Sequence, residues 1–226
     1  MKIGILQTGH APDELKPLLG DYADMFQDLL HEQGFEYEVH NVVDNEFPAS
    51  AVDADGWLIT GSKHGAYEDH DWIPPLEDLI RAVVESGRPL IGVCFGHQII
   101  AQALGGKVEK YKGGWAVGRQ TYDFGGVDMA FNAWHQDQVV ERPEGTIVLA
   151  SNDFCENAVL LYGDRVLTIQ PHPEFDAPMI DGLINTRGKG VVPDDLLQTA
   201  TEHLLEDVDN ETFADQMADF FRRERS

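Results

Sequence analysis

Apolar side chains along the chain follow two different spacings, and the switch between them predicts the order of strands and helices. Short apolar or alternating runs are typical of β-strands, and they occur at residues 2–7, 35–43, 56–60 and 89–93. Apolar side chains at helical spacing occur at residues 12–34, 74–85 and 96–104. Strands that alternate with helices in this way predict an α/β fold, with a mostly parallel sheet and helices on both faces.

The middle of the chain has a different pattern. Glycine, valine, tyrosine and aspartate recur in short runs at residues 107–169, without a helical stripe, and predict several antiparallel strands. Helical spacing returns at residues 193–207 and 212–223. No repeat or linker separates these parts. We therefore expect one domain over residues 1–226, built on an open sheet with an antiparallel edge.

The charge of the chain excludes two classes of partner. Forty acidic residues against 16 basic ones give a formal net charge of −24, so neither a nucleic acid nor a membrane is expected as a partner. No apolar run approaches the ~20 residues that span a bilayer, and the first residues lack the apolar region of a signal peptide. A cytoplasmic protein is therefore expected. Its two cysteines, Cys94 and Cys155, form no C-x-x-C motif and are expected to be free thiols.

The sharpest chemical feature is the segment LIGVCFGHQ at residues 90–98. It places a Gly-x-Cys-x-Gly motif between a strand pattern and a helix pattern, which is the context of a nucleophile elbow. The N–H groups at the start of the helix favour the thiolate form of Cys94. The backbone N–H of Phe95 would face the oxyanion of a tetrahedral intermediate. The alternative for Cys94 is a buried structural cysteine.

A thiolate nucleophile needs a general base and a group that orients the base. The segment IQPHPE at residues 169–174 supplies both, since His172 can accept and return a proton and Glu174 can hold its ring. The chain order is nucleophile, histidine and acid. Because α/β-hydrolases place the acid before the histidine, this order argues against an esterase.

Together these motifs resemble the class I glutamine amidotransferase family. Residues 92–98 and 172–174 carry the resemblance, and TGS at residues 60–62 matches the family's second oxyanion loop. The three segments follow the family's order and extend over most of the chain. The resemblance implies a flavodoxin-like fold and hydrolysis of the side-chain amide of glutamine through a γ-glutamyl thioester.

The resemblance also implies roles for individual residues. The implied catalytic triad is Cys94, His172 and Glu174. The implied oxyanion hole consists of the backbone N–H groups of Gly61 and Phe95. The positions with an implied contact to the substrate are Gln98, His135 and Asp137.

Two of these substrate contacts depend on a separate loop. Residues 134–137, WHQD, resemble a family loop that ends in His-Gly-Asp and contacts the α-amino and carboxylate groups of the substrate. Gln136 stands where the family has glycine. His135 and Asp137 remain the expected contacts, with a polar hairpin turn as the alternative.

Two other polar segments are interpreted as ordinary surface. His64, Tyr67 and His70 belong to a polar loop whose spacing matches no metal motif, so neither a metal nor a cofactor is expected. Arg187 and Lys189 form a rare basic spot in an acidic chain. We expect them in an exposed loop rather than at an anionic ligand.

The fate of the released amine separates the remaining functions. A stand-alone γ-glutamyl hydrolase or peptidase would act alone on a small γ-glutamyl substrate, whereas a glutaminase subunit would pass ammonia to a separate synthetase partner. No G-x-x-x-x-G-K-[ST] motif or further domain suggests a fused synthetase. The loop at residues 61–72 resembles the γ-glutamyl-peptidase-like branch, which favours the stand-alone enzyme, with the GMP-synthetase-like branch as the alternative. A regulatory module without catalysis is the least favoured, because all three triad residues are present.

Overall fold

The computed structural model describes residues 1–224 and shows strands and helices that alternate along the first half of the chain. In chain order the strands are β1 (Lys2–Leu6), β2 (Glu36–His40), β3 (Gly56–Ile59), β4 (Leu90–Val93), β5 (Lys107–Lys110), β6 (Ala116–Asp123), β7 (Asp128–His135), β8 (Asp137–Glu141), β9 (Thr146–Ala150), β10 (Val159–Tyr162) and β11 (Val166–Ile169). The helices are α1 (Lys16–Leu19), α2 (Tyr22–Leu29), α3 (Ile73–Ser86), α4 (Phe95–Ala103), α5 (Ala177–Leu183), α6 (Asp194–Glu202) and α7 (Asn210–Arg222). A π-helical turn, Ile184–Gly188, follows α5.

The central sheet has seven strands in the order β2-β1-β3-β4-β11-β10-β9. The five strands from β2 to β11 in this order are parallel, whereas β10 is antiparallel to both of its neighbours. The order of the parallel strands is that of flavodoxin-like folds. The predicted fold, a mostly parallel sheet with flanking helices and an antiparallel edge, is therefore confirmed.

Helices cover both faces of the sheet. On one face, Phe26 of α2 and Met217 of α7 belong to a core with Ile91. On the other face, Ile80 of α3 packs in a second core with Leu90. Neighbouring residues of β4 thus point into different cores, as the alternation of side chains along a strand requires. Within residues 1–224, no helix has the length and apolar composition that crossing a membrane requires.

The predicted continuous helix at residues 12–34 is interrupted. Gly20 has a positive φ of 75° and ends α1. Asp21 then caps α2, and its own backbone N–H donates to the carboxylate of Asp24 at 2.8 Å. This reciprocal pair satisfies donors at the start of a helix, so it favours a new helix over the continuation of the old one.

The segment between α4 and β9 leaves the central sheet and forms two antiparallel pairs, β5 with β8 and β6 with β7. The antiparallel prediction for residues 107–169 is thereby confirmed, since β10 and β11 also form an antiparallel pair. The additional parallel pairing of β11 with β4 was not predicted. A short apolar run indicates a buried strand and carries no information about its direction. β7 returns to the centre of the molecule, where the carbonyl of Asn132 accepts from the N–H of His172 at 2.8 Å.

Candidate active site

Cys94 occupies a strained turn between β4 and α4. Its φ and ψ angles are 52° and −102°, and Asn45 is the other non-glycine residue with a positive φ in the described part of the chain. Such a conformation costs of order 1–3 kcal/mol and persists only where the surroundings impose it. The N–H of Cys94 donates to the carbonyl of Ile169 at 2.9 Å. The turn therefore fixes the cysteine at the carboxyl end of the sheet, where α/β folds place ligands.

The two glycines of this turn are required by close packing. A Cβ on Gly92 would lie 2.5 Å from the carbonyl oxygen of Gly96, and a Cβ on Gly96 would lie 2.3 Å from that of Ile59. Both separations are far below any normal carbon–oxygen contact, so glycine is the residue that fits at each position. The Gly-x-Cys-x-Gly pattern thus arises from the close approach of α4 to β3 and β4.

His172 is held by three neighbours. Its Nδ1 lies 2.7 Å from Oε1 of Glu174, and both side chains are buried. The backbone N–H of His172 donates to the backbone carbonyl of Asn132, and the ring of Phe175 stacks on the imidazole. Burial alone would lower the pKa of His172, but the negative charges of Glu174 and Cys94 raise it above its usual value. The charged imidazolium is therefore favoured beside the cysteine.

Cys94 and His172 meet beside Gly61, which lies just after β3. A Cβ on Gly61 would be 2.9 Å from Cε1 of His172 and 3.7 Å from Cβ of Cys94. A hydrogen bond between the side chains of Cys94 and His172 also contributes to the raised pKa of the histidine. The absence of a side chain on Gly61 thus leaves the imidazole room to face the sulfur.

The peptide groups next to this pair are oriented by hydrogen bonds. The carbonyl of Thr60 accepts from the N–H of Gly96 at 3.1 Å and from the hydroxyl of Thr8 at 2.9 Å. The N–H of Gly61 belongs to the same planar trans peptide and points in the opposite direction. Phe95 begins α4, so its N–H has no acceptor within the helix. The fold therefore sets the direction of both N–H groups.

A cavity of about 550 Å³ contains Cys94 and His172 in its wall. Its volume lies within the range of small-molecule binding sites. Four of the chain's 16 basic residues line this cavity: Lys63, Lys110, Arg187 and Lys189. Two tryptophans, Trp115 and Trp134, also line it. The cavity therefore combines the Cys94–His172 pair with basic and aromatic surface.

The residues with predicted substrate contacts line the same cavity. The Nδ1 of His135 donates to the carbonyl of Asp137 at 3.2 Å, and its buried Nε2 has no hydrogen-bond partner within residues 1–224. Burial lowers the pKa of His135 to about 3, so its ring is neutral. The amide of Gln98 donates to the carbonyl of Asp137 at 2.9 Å and to Gln170 at 3.2 Å. Gln98 therefore positions the Asp137 segment.

Tyr67 joins the loop after β3 to the segment that contains Asp137. Burial raises the pKa of Tyr67 to about 12, and the nearby Asp137 carboxylate, its hydrogen-bond partner, adds to the effect. Burial also raises the pKa of Asp137. The contact brings together two walls of the cavity that are far apart in the sequence.

Comparison with known proteins assigns the chain to a family. Residues 18–181 match the sequence profile of the family described as "Glutamine amidotransferase class-I". The chain belongs to this family. The resemblance predicted from the sequence is thereby confirmed, and membership of the class I glutamine amidotransferases supports hydrolysis of glutamine or γ-glutamyl amides.

Relatives of this chain include proteins named as peptidases and as synthases. Gamma-glutamyl peptidase 4 of Arabidopsis thaliana is 33% identical over 186 residues, which cover 75% of this chain and 74% of the peptidase. The glutamine-hydrolyzing GMP synthase of Pyrobaculum aerophilum is 29% identical over 164 residues, which cover 69% of this chain and 31% of the synthase. A solved glutamine amidotransferase of Methylobacillus flagellatus has the same fold, with a TM-score of 0.76 at 21% identity over 100% of this chain and 96% of that one.

The prediction for Arg187 is wrong. Arg187 is half-buried and lines the cavity, and its guanidinium donates to the hydroxyl of Tyr22 and the carbonyl of His10, both at 2.8 Å. The predicted exposed loop applies to Lys189 but not to Arg187. The reason is that the π-helical turn after α5 lies against the cavity, which residue type alone does not reveal.

The contact of Phe175 with His172 was not predicted from the sequence. Phe175 directly follows the His172-Pro173-Glu174 motif and is buried against the imidazole. An apolar residue next to a motif at a strand end is a signal that could have indicated a packing partner for the histidine ring.

Proposed function

We propose that the protein hydrolyses γ-glutamyl amide bonds, with Cys94 as nucleophile, His172 as acid and base, and Glu174 as the group that orients the histidine. The observation that carries this proposal is the strained turn that holds Cys94 beside the buried His172–Glu174 pair. Strain at a functional residue is stored where the surroundings impose it. A raised pKa of His172 favours the thiolate–imidazolium form that such a nucleophile needs.

The first half of the reaction forms a thioester. The sulfur of Cys94 attacks the γ-carbonyl carbon, and the N–H groups of Gly61 and Phe95 donate to the oxyanion that develops. The C–N bond then breaks, and His172 donates its proton to the leaving amine. In the second half, water attacks the thioester while His172 accepts a proton from it. The C–S bond breaks, glutamate leaves and the thiolate–imidazolium pair is restored.

The groups near His135 suit the glutamyl half of the substrate. His135 and Asp137 both line the cavity. Each offers a hydrogen-bond acceptor: the Nε2 of His135, which has no partner within residues 1–224, and the carboxylate of Asp137. An α-ammonium group offers three N–H donors and a positive charge. We infer that these two acceptors bind the α-ammonium group, with Gln98 holding the segment in place.

The rest of the cavity supports a substrate larger than glutamine. Hydrolysis of glutamine releases ammonia, which would make no use of Trp115, Trp134 or Arg187. A γ-glutamyl peptide or amine places a larger leaving group in the cavity, and the basic residues favour one with a negative charge. The proposed activity is therefore that of a stand-alone γ-glutamyl hydrolase or peptidase, in keeping with the similarity to gamma-glutamyl peptidase 4.

Steady-state kinetics of the isolated chain test this proposal. We expect kcat/KM to be higher for γ-glutamyl peptides such as glutathione than for glutamine. We also expect the uncharged γ-glutamyl methylamide to be a poorer substrate than a γ-glutamyl peptide with a free carboxylate. Cys94→Ala serves as the blank, and activity that persists in this variant would contradict the assigned nucleophile.

A second candidate function is supply of ammonia to a separate synthetase. It is favoured by the similarity to the GMP synthase, of which the matched segment is 31%. In this case the isolated chain would hydrolyse glutamine slowly, and a synthetase would accelerate it because docking completes the site. Glutaminase activity that rises on addition of a candidate synthetase would replace the stand-alone proposal. γ-Glutamyl peptidase activity that is unchanged by the synthetase would support the stand-alone proposal.

A further inference from the structure

The loop between β3 and α3 brings three metal-binding side chains together. His64, Glu68 and His70 each offer one ligand atom, and these atoms lie within 4.8 Å of one another. The Nδ1 of His64 is 3.3 Å from Oε2 of Glu68, and Nε2 of His70 is 2.8 Å from the same oxygen. Two imidazoles thus converge on one carboxylate oxygen.

Backbone and aromatic contacts hold this cluster in place. The N–H of Glu68 donates to the carbonyl of Gly65 at 3.0 Å, which turns the chain between the two histidines. The ring of His70 stacks on Trp72, with centroids 5.8 Å apart and an interplanar angle of 11°. The ring of His64 meets that of His70 edge-on at 4.3 Å. Because Trp72 is buried, the histidines are ordered by contacts that do not require an ion.

We propose that His64, Glu68 and His70 bind a divalent transition-metal ion, with Zn²⁺ as the best fit. Two imidazole nitrogens and one carboxylate oxygen form a three-ligand set that leaves a fourth coordination position open. Tetrahedral ligands at ~2.0–2.1 Å from Zn²⁺ are ~3.4 Å apart. The two nitrogen–oxygen separations of 3.3 and 2.8 Å are close to this value, so small side-chain movements would complete the site.

The ligand set also selects the class of metal. Imidazole nitrogens suit zinc, copper and nickel, whereas Mg²⁺ and Ca²⁺ prefer sites made of oxygen atoms. The spacing His-x3-Glu-x-His differs from common zinc motifs, which is why no metal was expected from the sequence. The three ligands converge because of the turn at Gly65 and the stack on Trp72. Neither contact can be inferred from the spacing of the ligands in the sequence.

The position of the cluster gives the ion an effect on the cavity. His64 and Glu68 both line the cavity that contains Cys94. Tyr67 lies between them in the sequence and contacts Asp137. A bound ion would fix this loop and add positive charge next to the substrate. Metal binding would therefore change the KM for charged substrates more than kcat, although the site itself does not depend on the proposed hydrolysis.

Spectroscopy with Co²⁺ tests the site without reference to activity. The Cys94→Ala protein is titrated with Co²⁺, so that the reactive thiol cannot serve as a ligand. We expect one Co²⁺ per chain, with the strong visible bands of tetrahedral cobalt and no thiolate charge-transfer band. Zn²⁺ added afterwards should displace the cobalt and abolish the bands.

Two variants and a matched control decide the location. In the Cys94→Ala background, Glu68→Gln and His70→Ala should each weaken binding at least about tenfold, since even partners outside the coordination shell contribute this much. His203→Ala is the control, because His203 forms a similar exposed pair with Glu206, at 2.6 Å. It should bind as the parent does.

The outcomes are distinct. Absence of tetrahedral bands, or equal binding by the parent, Glu68→Gln and His70→Ala proteins, would overturn the proposal and indicate only general attraction of cations to an acidic chain. Circular dichroism checks that each variant is folded. If His70→Ala fails to fold, Glu68→Gln decides the question, because it preserves the size of a half-exposed side chain.

Discussion

The ring of Phe175 lies almost parallel to the imidazole of His172, with centroids 3.9 Å apart and an interplanar angle of 3°. A phenyl face attracts a cation placed over it, so this stack favours the imidazolium form. Tyr22 packs behind Phe175, with ring centroids 6.0 Å apart. Glu174 and Phe175 therefore act on the same ring in two ways, one through its edge and the other through its face.

Phe175→Leu should lower kcat by roughly tenfold, since a cation–π contact contributes about 0.5–2 kcal/mol and the ring also loses its support. The alkaline limb of the kcat/KM–pH profile should shift to lower pH at the same time, because His172 then loses its proton more readily. Phe35→Leu is a suitable control. It removes a contact between a phenyl ring and Arg222, at 4.8 Å, that lies outside the cavity. Equal kcat values for the Phe175→Leu and wild-type proteins would contradict a role for the stack.

Cys94→Ala should abolish turnover, with a loss of several orders of magnitude as for other triads that act as a unit. Cys155→Ala should retain nearly full activity. Burial raises the pKa of Cys155 to about 12, so this thiol is inert at neutral pH. Mass spectrometry of the protein treated with a glutamine-like electrophile locates the label. Labelling at Cys155 would show that the nucleophile is misassigned.

Glu174→Gln should change the pH dependence of stability. Burial alone lowers the pKa of His172, and Glu174 is the main group that raises it above 6.5. A raised folded-state pKa stabilises the native protein fully below the unfolded-state value and loses this contribution as the pH rises through the folded-state value. The wild-type advantage in free energy of unfolding should therefore be largest below pH 6.5 and shrink in the alkaline range. Urea unfolding of both proteins from below pH 6.5 into the alkaline range measures this difference in free energy. A difference that grows with pH would refute the argument.

Gly61→Ala should reduce activity without unfolding the protein. The new Cβ would lie 2.9 Å from the edge of the His172 ring, so the imidazole must move away from Cys94. A loss of kcat of about 10²-fold is expected, since misplacement by 1 Å can cost this much. Gly34→Ala provides the opposite case. A Cβ at position 34 would meet open space, but Gly34 has a positive φ of 65°. The substitution should therefore lower stability while preserving kcat. Both kcat and the urea midpoint are needed to separate the two effects.

The elbow was accessible to sequence analysis because its determinants are local. Residues 92–98 contain the strand end, both glycines, the cysteine and the first turn of α4. His172 and Glu174 are only two positions apart in sequence, and they follow β11, the strand that pairs with β4. The predicted fold and the predicted location of these residues therefore agree with the structure, although their catalytic roles remain proposals.

Features that depend on tertiary packing were not accessible. The position of Arg187 depends on how the turn after α5 lies against the cavity, and its hydrogen bonds reach Tyr22 and His10, more than 150 residues away. The break at Gly20 was missed because apolar spacing continues through it. A glycine inside a helical pattern lowers the stability of a helix but does not by itself end one.

The hydrogen bond from the N–H of Cys94 to the carbonyl of Ile169 has a consequence for hydrogen exchange. It makes the amide of the cysteine part of the ladder between β4 and β11, at the centre of the sheet. Amides of central strands exchange through global unfolding, whereas those of surface loops exchange through local opening. The Cys94 amide should thus be among the last to take up deuterium, long after the loop at residues 61–72. On warming, the cavity wall formed by this loop would therefore be lost before the turn at Cys94.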